Sequence, residues 1–307
     1  MIASPLPFKV LGTQIVLLTF VSWHVARPAF AQINSAGQAD TEYHLAVNLK
    51  AKGHLAEARA HLLKLVHSPW GQKPANYMLL SDTYIEDLEA PNTRLAKAYL
   101  HDAIRIDPGY GPAYRNLAWL AKDNGRFEDC IELATKATTC KTPDMSALMS
   151  RSKAYHALHN LNAAMTDVDN YFKVEKNLNF RDYDYKASLQ IQLGKIDDAI
   201  KTYESAKSLR GDWATLQIAH CLELQHKSSE AIAKVSSLIM KNPEDDEAYH
   251  IRAQLYFNAK NYNGAIADLT QAIKLTPTSS YYRERAKAYQ ALGQNALAQK
   301  DIDESEK

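Results

Sequence analysis

The chain has 307 residues, 46% of them hydrophobic and 23% charged, which is the balance of a soluble protein longer than one average domain. Its formal net charge is +1. Residues 1–31 hold Lys9 and Arg27 and no acid, so the remainder carries −1. Near-neutrality gives no electrostatic case for nucleic acid or an anionic membrane as a partner.

The first element is an N-terminal segment unlike the rest. Lys9 supplies a positive charge, Ile15–Trp23 forms a short apolar core, and Ala29-Phe30-Ala31 gives a small-x-small site before Gln32. That layout predicts a secretory signal peptide over 1–31, and hence export to a periplasm or the medium. Val10–Val25 is short for a membrane span and is interrupted by Gln14 and His24. An uncleaved N-terminal anchor is the alternative, and the one route to a membrane. No cysteine follows the apolar stretch, so a lipid has no attachment point. Residues 32–38 then read as a polar lead-in.

From residue 39 onward the chain reads as helical hairpins repeating about every 34 residues. The units are 39–73, 74–110, 111–144, 145–179, 180–211, 212–245, 246–278 and 279–307. The seventh shows the plan. Tyr249, Ala253 and Tyr256 share one helical face, and Ala265, Leu269, Ala272 and Ile273 share another. Lys260-Asn261 turns between them, and Pro277 ends the unit.

A small residue in the first helix of each unit is matched by another twelve residues later. In chain order the pairs are Ala46/Ala58, Ala118/Cys130, Ser152/Ala164, Ala187/Ala199, Ala219/Ala231, Ala253/Ala265 and Ala286/Ala298. Ser81/Ala96 is three residues longer, because Glu86–Arg94 carries an insertion. Where helices cross at about 8–10 Å, only small side chains fit. A third small residue follows at Ala103, Ala137, Ala206, Ala272 and Ser305, whereas the fourth unit has bulky Tyr171 there. Gly53, Gly125, Gly194 and Gly293 close first helices, as a positive φ would require.

This pattern resembles the tetratricopeptide repeat family over about residues 39 to 307. The match is strong in the third, seventh and eighth units and weaker in the second and fourth. The resemblance implies an all-α fold, an α-α superhelix: a right-handed helical-hairpin solenoid of about eight repeats. In that family the first helices line a concave face that receives an extended peptide or a partner helix. Carried over by position, the facing residues include Tyr43, Met78, Arg115, Trp119, Met149, Lys153, His220, His250, Arg283 and Lys287. Some members grip a peptide's C-terminal carboxylate with a lysine and asparagine pair. Here the later position is Val47, Asp82, Trp119, Lys153, Ser188, His220, Gln254 or Lys287, never asparagine, so no such clamp is expected. Met78, Trp119 and Met149 beside Arg115 and Lys153 suit a segment with apolar and acidic residues. Packing between repeats is the competing role for Trp119 and Met149.

Other features read as structural. Cys130 occupies a packing slot, Cys140 lies about 15 Å further along the same helix, and Cys221 is remote, so small buried side chains are expected rather than a disulfide or a metal. Tyr281-Tyr282 reads as packing at the entry to the last unit, and Trp213, at a helix start, as packing at a joint between units, with contact to a partner the alternative. Arg210-Gly211-Asp212 matches an adhesion tripeptide, but it falls where a loop between units would need a glycine. His156 and His159 lie three apart on a helix end with no third ligand beside them.

The sequence has no glycine-rich phosphate loop, GxSxG elbow, HExxH or paired cysteine ligands. The reading is therefore a non-catalytic scaffold for a protein or peptide, with no cofactor and no metal. A membrane-anchored accessory of envelope assembly or transport is the alternative, and an envelope-modifying enzyme the third.

Overall fold

A computed structural model describes residues 33–88 and 91–307. The signal-peptide segment 1–31 lies outside the described residues, as do two positions of the Glu86–Arg94 insertion. The fold is an all-α helical-repeat solenoid; among the described residues there is no strand. The chain divides into two compact units at Gln72/Lys73.

The first unit is one hairpin, α1 (Ala36–Ala51) and α2 (Leu55–Val66). The expected lead-in over 32–38 is already helical from Ala36. The reason is local: Ser35 Oγ accepts from the amide of Gln38 and caps the helix. Ala46 and Ala58 are fully buried where the helices meet, and Leu62 and Leu65 fill the space beside them.

The second unit stacks hairpins α3 (Pro74–Ile85) with α4 (Thr93–Ile106), α5 (Gly111–Asp123) with α6 (Phe127–Thr139), and α7 (Ala147–Ala157) with α8 (Leu161–Val174). It continues through α9 (Phe180–Gln192), α10 (Ile196–Leu224), α11 (Ser228–Lys241), α12 (Asp246–Asn258), α13 (Tyr262–Leu275), α14 (Ser279–Ala291) and α15 (Asn295–Ser305). Each helix packs on the next in chain order. First helices also touch one another, α3 with α5, α5 with α7, and α10 with α12.

All sixteen paired small residues are buried, none exposed by more than 2%, so the notches are where the backbones approach. The third small residues are buried too. Where Tyr171 replaces one, aromatic rings hold the joint instead: Phe172 lies edge-on to Tyr183 at 5.2 Å, with the Lys186 ammonium 4.5 Å from the Phe172 ring.

Each short turn inside a hairpin needs one left-handed residue. Gly53, Gly125, Gly194 and Gly293 take it with φ of 71° to 81°. His159, His226 and Lys260 fill the same place in three other hairpins at φ of 58° to 59°. His159 is thus a turn residue, and His156 hydrogen-bonds Gln192 at 3.0 Å.

The expected loop at Arg210-Gly211-Asp212 does not form. Helix α10 runs through, broken only at Arg210 (φ −154°, ψ 80°), and its two halves belong to successive hairpins. A methyl group at Gly211 would meet nothing within 4 Å, so glycine is not required there. Arg210 lies over Phe180, and Asp212 pairs with Lys241 at 2.8 Å. Trp213 packs edge-on between Phe180 and Tyr203, both at 5.5 Å, which makes it part of the joint.

Candidate functional site

The first helices of the second unit bury one side and leave another open. Helix α5 is the sharpest case. Asn116, Leu117, Ala118, Leu120 and Ala121 are buried, while Trp119 in their midst is 38% exposed. Its position, one past the small residue Ala118, points it away from the notch.

Polar side chains link successive first helices at about one repeat's spacing. Asn116 donates to Asp82 Oδ1 at 2.7 Å, and His250 Nε2 meets Glu284 Oε2 at 2.9 Å. Tyr281 donates to Asp246 Oδ2 at 2.9 Å. The same surface therefore continues from hairpin to hairpin within this unit.

The residues expected on that surface divide by how firmly they are held. Met78 is half-buried, and its sulfur accepts from the Tyr110 hydroxyl at 3.7 Å. Arg115 is tied to Asp144 by a 3.0 Å bond from Nε, across the α6–α7 connection. That charge is spoken for, and its partner lies 29 residues away in sequence. His250 is held by Glu284, and its ring lies 4.7 Å from that of Tyr281, tilted by 46°. Met149 is half-buried.

Trp119, Lys153, His220, Arg283 and Lys287 are exposed. Lys153 reaches over the Tyr185 ring at 5.5 Å, and His220 lies 4.0 Å from Glu223. Tyr43 belongs to the first unit, half-buried beside His44. For Trp119 and Met149 the competing role was burial between repeats; Trp119 keeps over a third of its surface open.

Burial raises the carboxyl pKa of Glu284, but its bonds from His250 and Gln254 and the nearby Lys287 charge outweigh this and hold it below the usual range. Burial pushes the Cys130 and Cys221 thiols up to about 11, consistent with inert packing. Cys140 caps α6, with Sγ 3.5 Å from the Ala137 carbonyl oxygen.

One recurring arrangement was not anticipated. In α7, α12 and α14 an arginine precedes the small residue, and each meets an aspartate sixteen positions on: Arg151/Asp167, Arg252/Asp268 and Arg285/Asp301. Every pair is bidentate. The remaining guanidinium nitrogen Nη1 donates to a hydroxyl on the preceding hairpin, Thr135, Ser236 or Thr270, at 2.8 to 3.0 Å. These arginines are structural, and their aspartates raise their pKa further.

Two stretches, residues 246–279 and 186–212, match models described as tetratricopeptide repeat. Among solved structures, the C-terminal part of a TPR repeat-containing protein from Cytophaga hutchinsonii is 20% identical, with a TM-score of 0.51, covering 62% of this chain and 77% of that one. A tetratricopeptide repeat protein from Parabacteroides merdae is 15% identical, with a TM-score of 0.50, covering 88% and 99%. At these identities the likeness is one of fold.

Proposed function

We propose that this chain, a tetratricopeptide-repeat protein, is a non-catalytic scaffold that holds an extended segment or helix of another protein along its first-helix surface. The observation that carries this is Trp119. A large aromatic left open amid five buried neighbours on α5 is the kind of anchor that binding centres use. Met78 and Met149, both half-buried on flanking first helices, extend the apolar strip.

Export belongs to the same proposal. Cleavage before Gln32 would release the repeats beyond the membrane, and N-terminal sequencing of the mature protein from cells tests it. An intact Met1 end would favour the anchored accessory instead.

Because Arg115 is engaged by Asp144, the clean test of the surface is Trp119→Ala alone. Capture of partners from an extract should weaken while helical content and Tm stay unchanged. Unchanged capture would move the site elsewhere. A Tm lower by several degrees would make Trp119 a packing residue.

A further inference from the structure

The second helices α4 and α6 both pack on α5, and a cleft of about 280 Å³ opens between them. Leu117, buried on α5, and Leu133, half-buried on α6, supply its apolar lining. One wall is Lys97 and His101, four residues apart on α4 and so on one face. The other is Asp129 and Glu132 on α6, three apart.

The two walls carry opposite charge and make no ion pair with each other. Lys97 and His101 have no side-chain hydrogen bond or ion pair among the described residues. The acids are held only from their own helix end or turn. Arg126 Nη1 lies 3.1 Å from Asp129 Oδ2, and Lys136 donates to Glu132 at 2.6 Å. All four of those side chains are more than half exposed, and exposed pairs of this kind are weak and exchange readily.

An anion alone would be drawn to Lys97 but repelled by Asp129 and Glu132, and a cation alone would meet the reverse. A molecule carrying both charges satisfies both walls at once. The volume lies just below the range of about 300–1,000 Å³ usual for ligand clefts, too small for a helix or a peptide segment.

We propose that this cleft binds a free amino acid with an apolar side chain. The carboxylate meets Lys97 and His101, the ammonium meets Asp129 and Glu132, and the side chain rests on Leu117 and Leu133. A zwitterionic lipid headgroup presents the same two charges. The apolar lining favours the amino acid, because a headgroup leaves its own apolar chains in the bilayer. The cleft is built on second helices and the scaffold surface on first helices, so the two readings stand or fall separately.

The test is a saturation-transfer NMR titration of the purified chain with L-leucine, alongside L-leucinol, N-acetyl-L-leucine and glycerophosphocholine. Leucine should bind with a Kd of about 1 mM or tighter. Leucinol lacks the carboxylate and N-acetylleucine the ammonium, and each should bind about tenfold more weakly. Lys97→Met should weaken leucine about tenfold and leave leucinol unchanged. Asp129→Asn with Glu132→Gln should weaken leucine about as much and leave N-acetylleucine unchanged. These exposed or half-exposed positions should leave helical content and Tm as they were.

Leucine unbound at about 10 mM, or bound no better than leucinol and N-acetylleucine, would overturn the inference. So would leucine binding indifferent to Lys97→Met and to the paired acid changes. Glycerophosphocholine bound in place of leucine would assign the cleft to a headgroup and overturn it as well. Trp119→Ala should leave leucine binding untouched, so a failure here leaves the scaffold surface to its own test.

Discussion

Arg252 and Asp268 face each other with both hydrogen bonds made, Nε to Oδ2 at 2.7 Å and Nη2 to Oδ1 at 2.8 Å. The aspartate side chain is 8% exposed and the arginine 18%, so the pair is largely withdrawn from water. Removing one partner from such a pair strands the other, at a cost of about 3–5 kcal/mol. Arg252→Met should lose about that in urea unfolding followed by circular dichroism. Arg252→Lys should lose part of it, because an ammonium cannot bind both oxygens in a fork. The double change Arg252→Met with Asp268→Leu should recover much of the loss. A loss below about 0.5 kcal/mol for Arg252→Met would mean the pair behaves as an exposed one.

The α4–α5 and α6–α7 connections are clipped together through Gly111. Its amide donates to the Thr142 carbonyl at 2.9 Å, and the Thr142 amide returns a bond to the Gly109 carbonyl at 2.9 Å. A Cβ at Gly111 would fall 2.3 Å from Thr142 O and 2.8 Å from Ala137 O, both backbone atoms that cannot step aside. Gly111→Ala should destabilise by about 2 kcal/mol. Gly211→Ala is the control, with open space around it, and should be neutral or stabilising by up to about 1 kcal/mol. Equal effects at the two sites, read by thermal melting, would remove the clip from the account.

Ser81 and Ser152 occupy equivalent notches with opposite outcomes. Ser152 Oγ donates to the Ala164 carbonyl at 2.7 Å and meets the Tyr185 hydroxyl at 3.1 Å. Ser81 Oγ is buried and has no hydrogen-bond partner among the described residues. Ser81→Ala should therefore raise stability by about 1 kcal/mol, and Ser152→Ala should lower it by a similar amount. Melting curves that move together for both variants would contradict this.

Glu284 links pH to the hold between the last two hairpins. Its pKa is lowered in the folded chain, so the carboxylate contributes stability that is fully present above the unfolded value near 4.5 and is lost as pH falls through the folded one. The Tm should fall more steeply below about pH 4.5 in the native chain than in Glu284→Gln. Parallel declines would show that the His250 bond adds nothing.

Much of the fold was legible because close approach of helices admits few residue types. Ala253 and Ala265 had to be small, and their spacing recurs wherever the contact recurs. The left-handed turns were half legible, since Gly125 advertises its conformation while His226 and Lys260 adopt it under tertiary constraint. The joint at Arg210 was misread because a glycine suggested a loop, yet one extended residue suffices to break α10. On the candidate surface the position of Trp119 followed from register alone. The capture of Arg115 by Asp144 did not, because it spans an entire intervening helix. The arginine–aspartate pairs carry a sequence signal of their own, a sixteen-residue spacing in three units that the twelve-residue pairing of small residues does not reveal.

Those guanidiniums also give the second unit a direction. Each binds the aspartate of its own hairpin but leans on a hydroxyl of the one before. If the final hairpin frays, Thr270 loses the Arg285 guanidinium, but Arg252 keeps its own bonds to Asp268 and Ser236. If an earlier hairpin opens, the next one's guanidinium is wetted and its grip slackens. Erosion should thus stop after one step when it begins at the carboxyl end, and spread when it begins upstream.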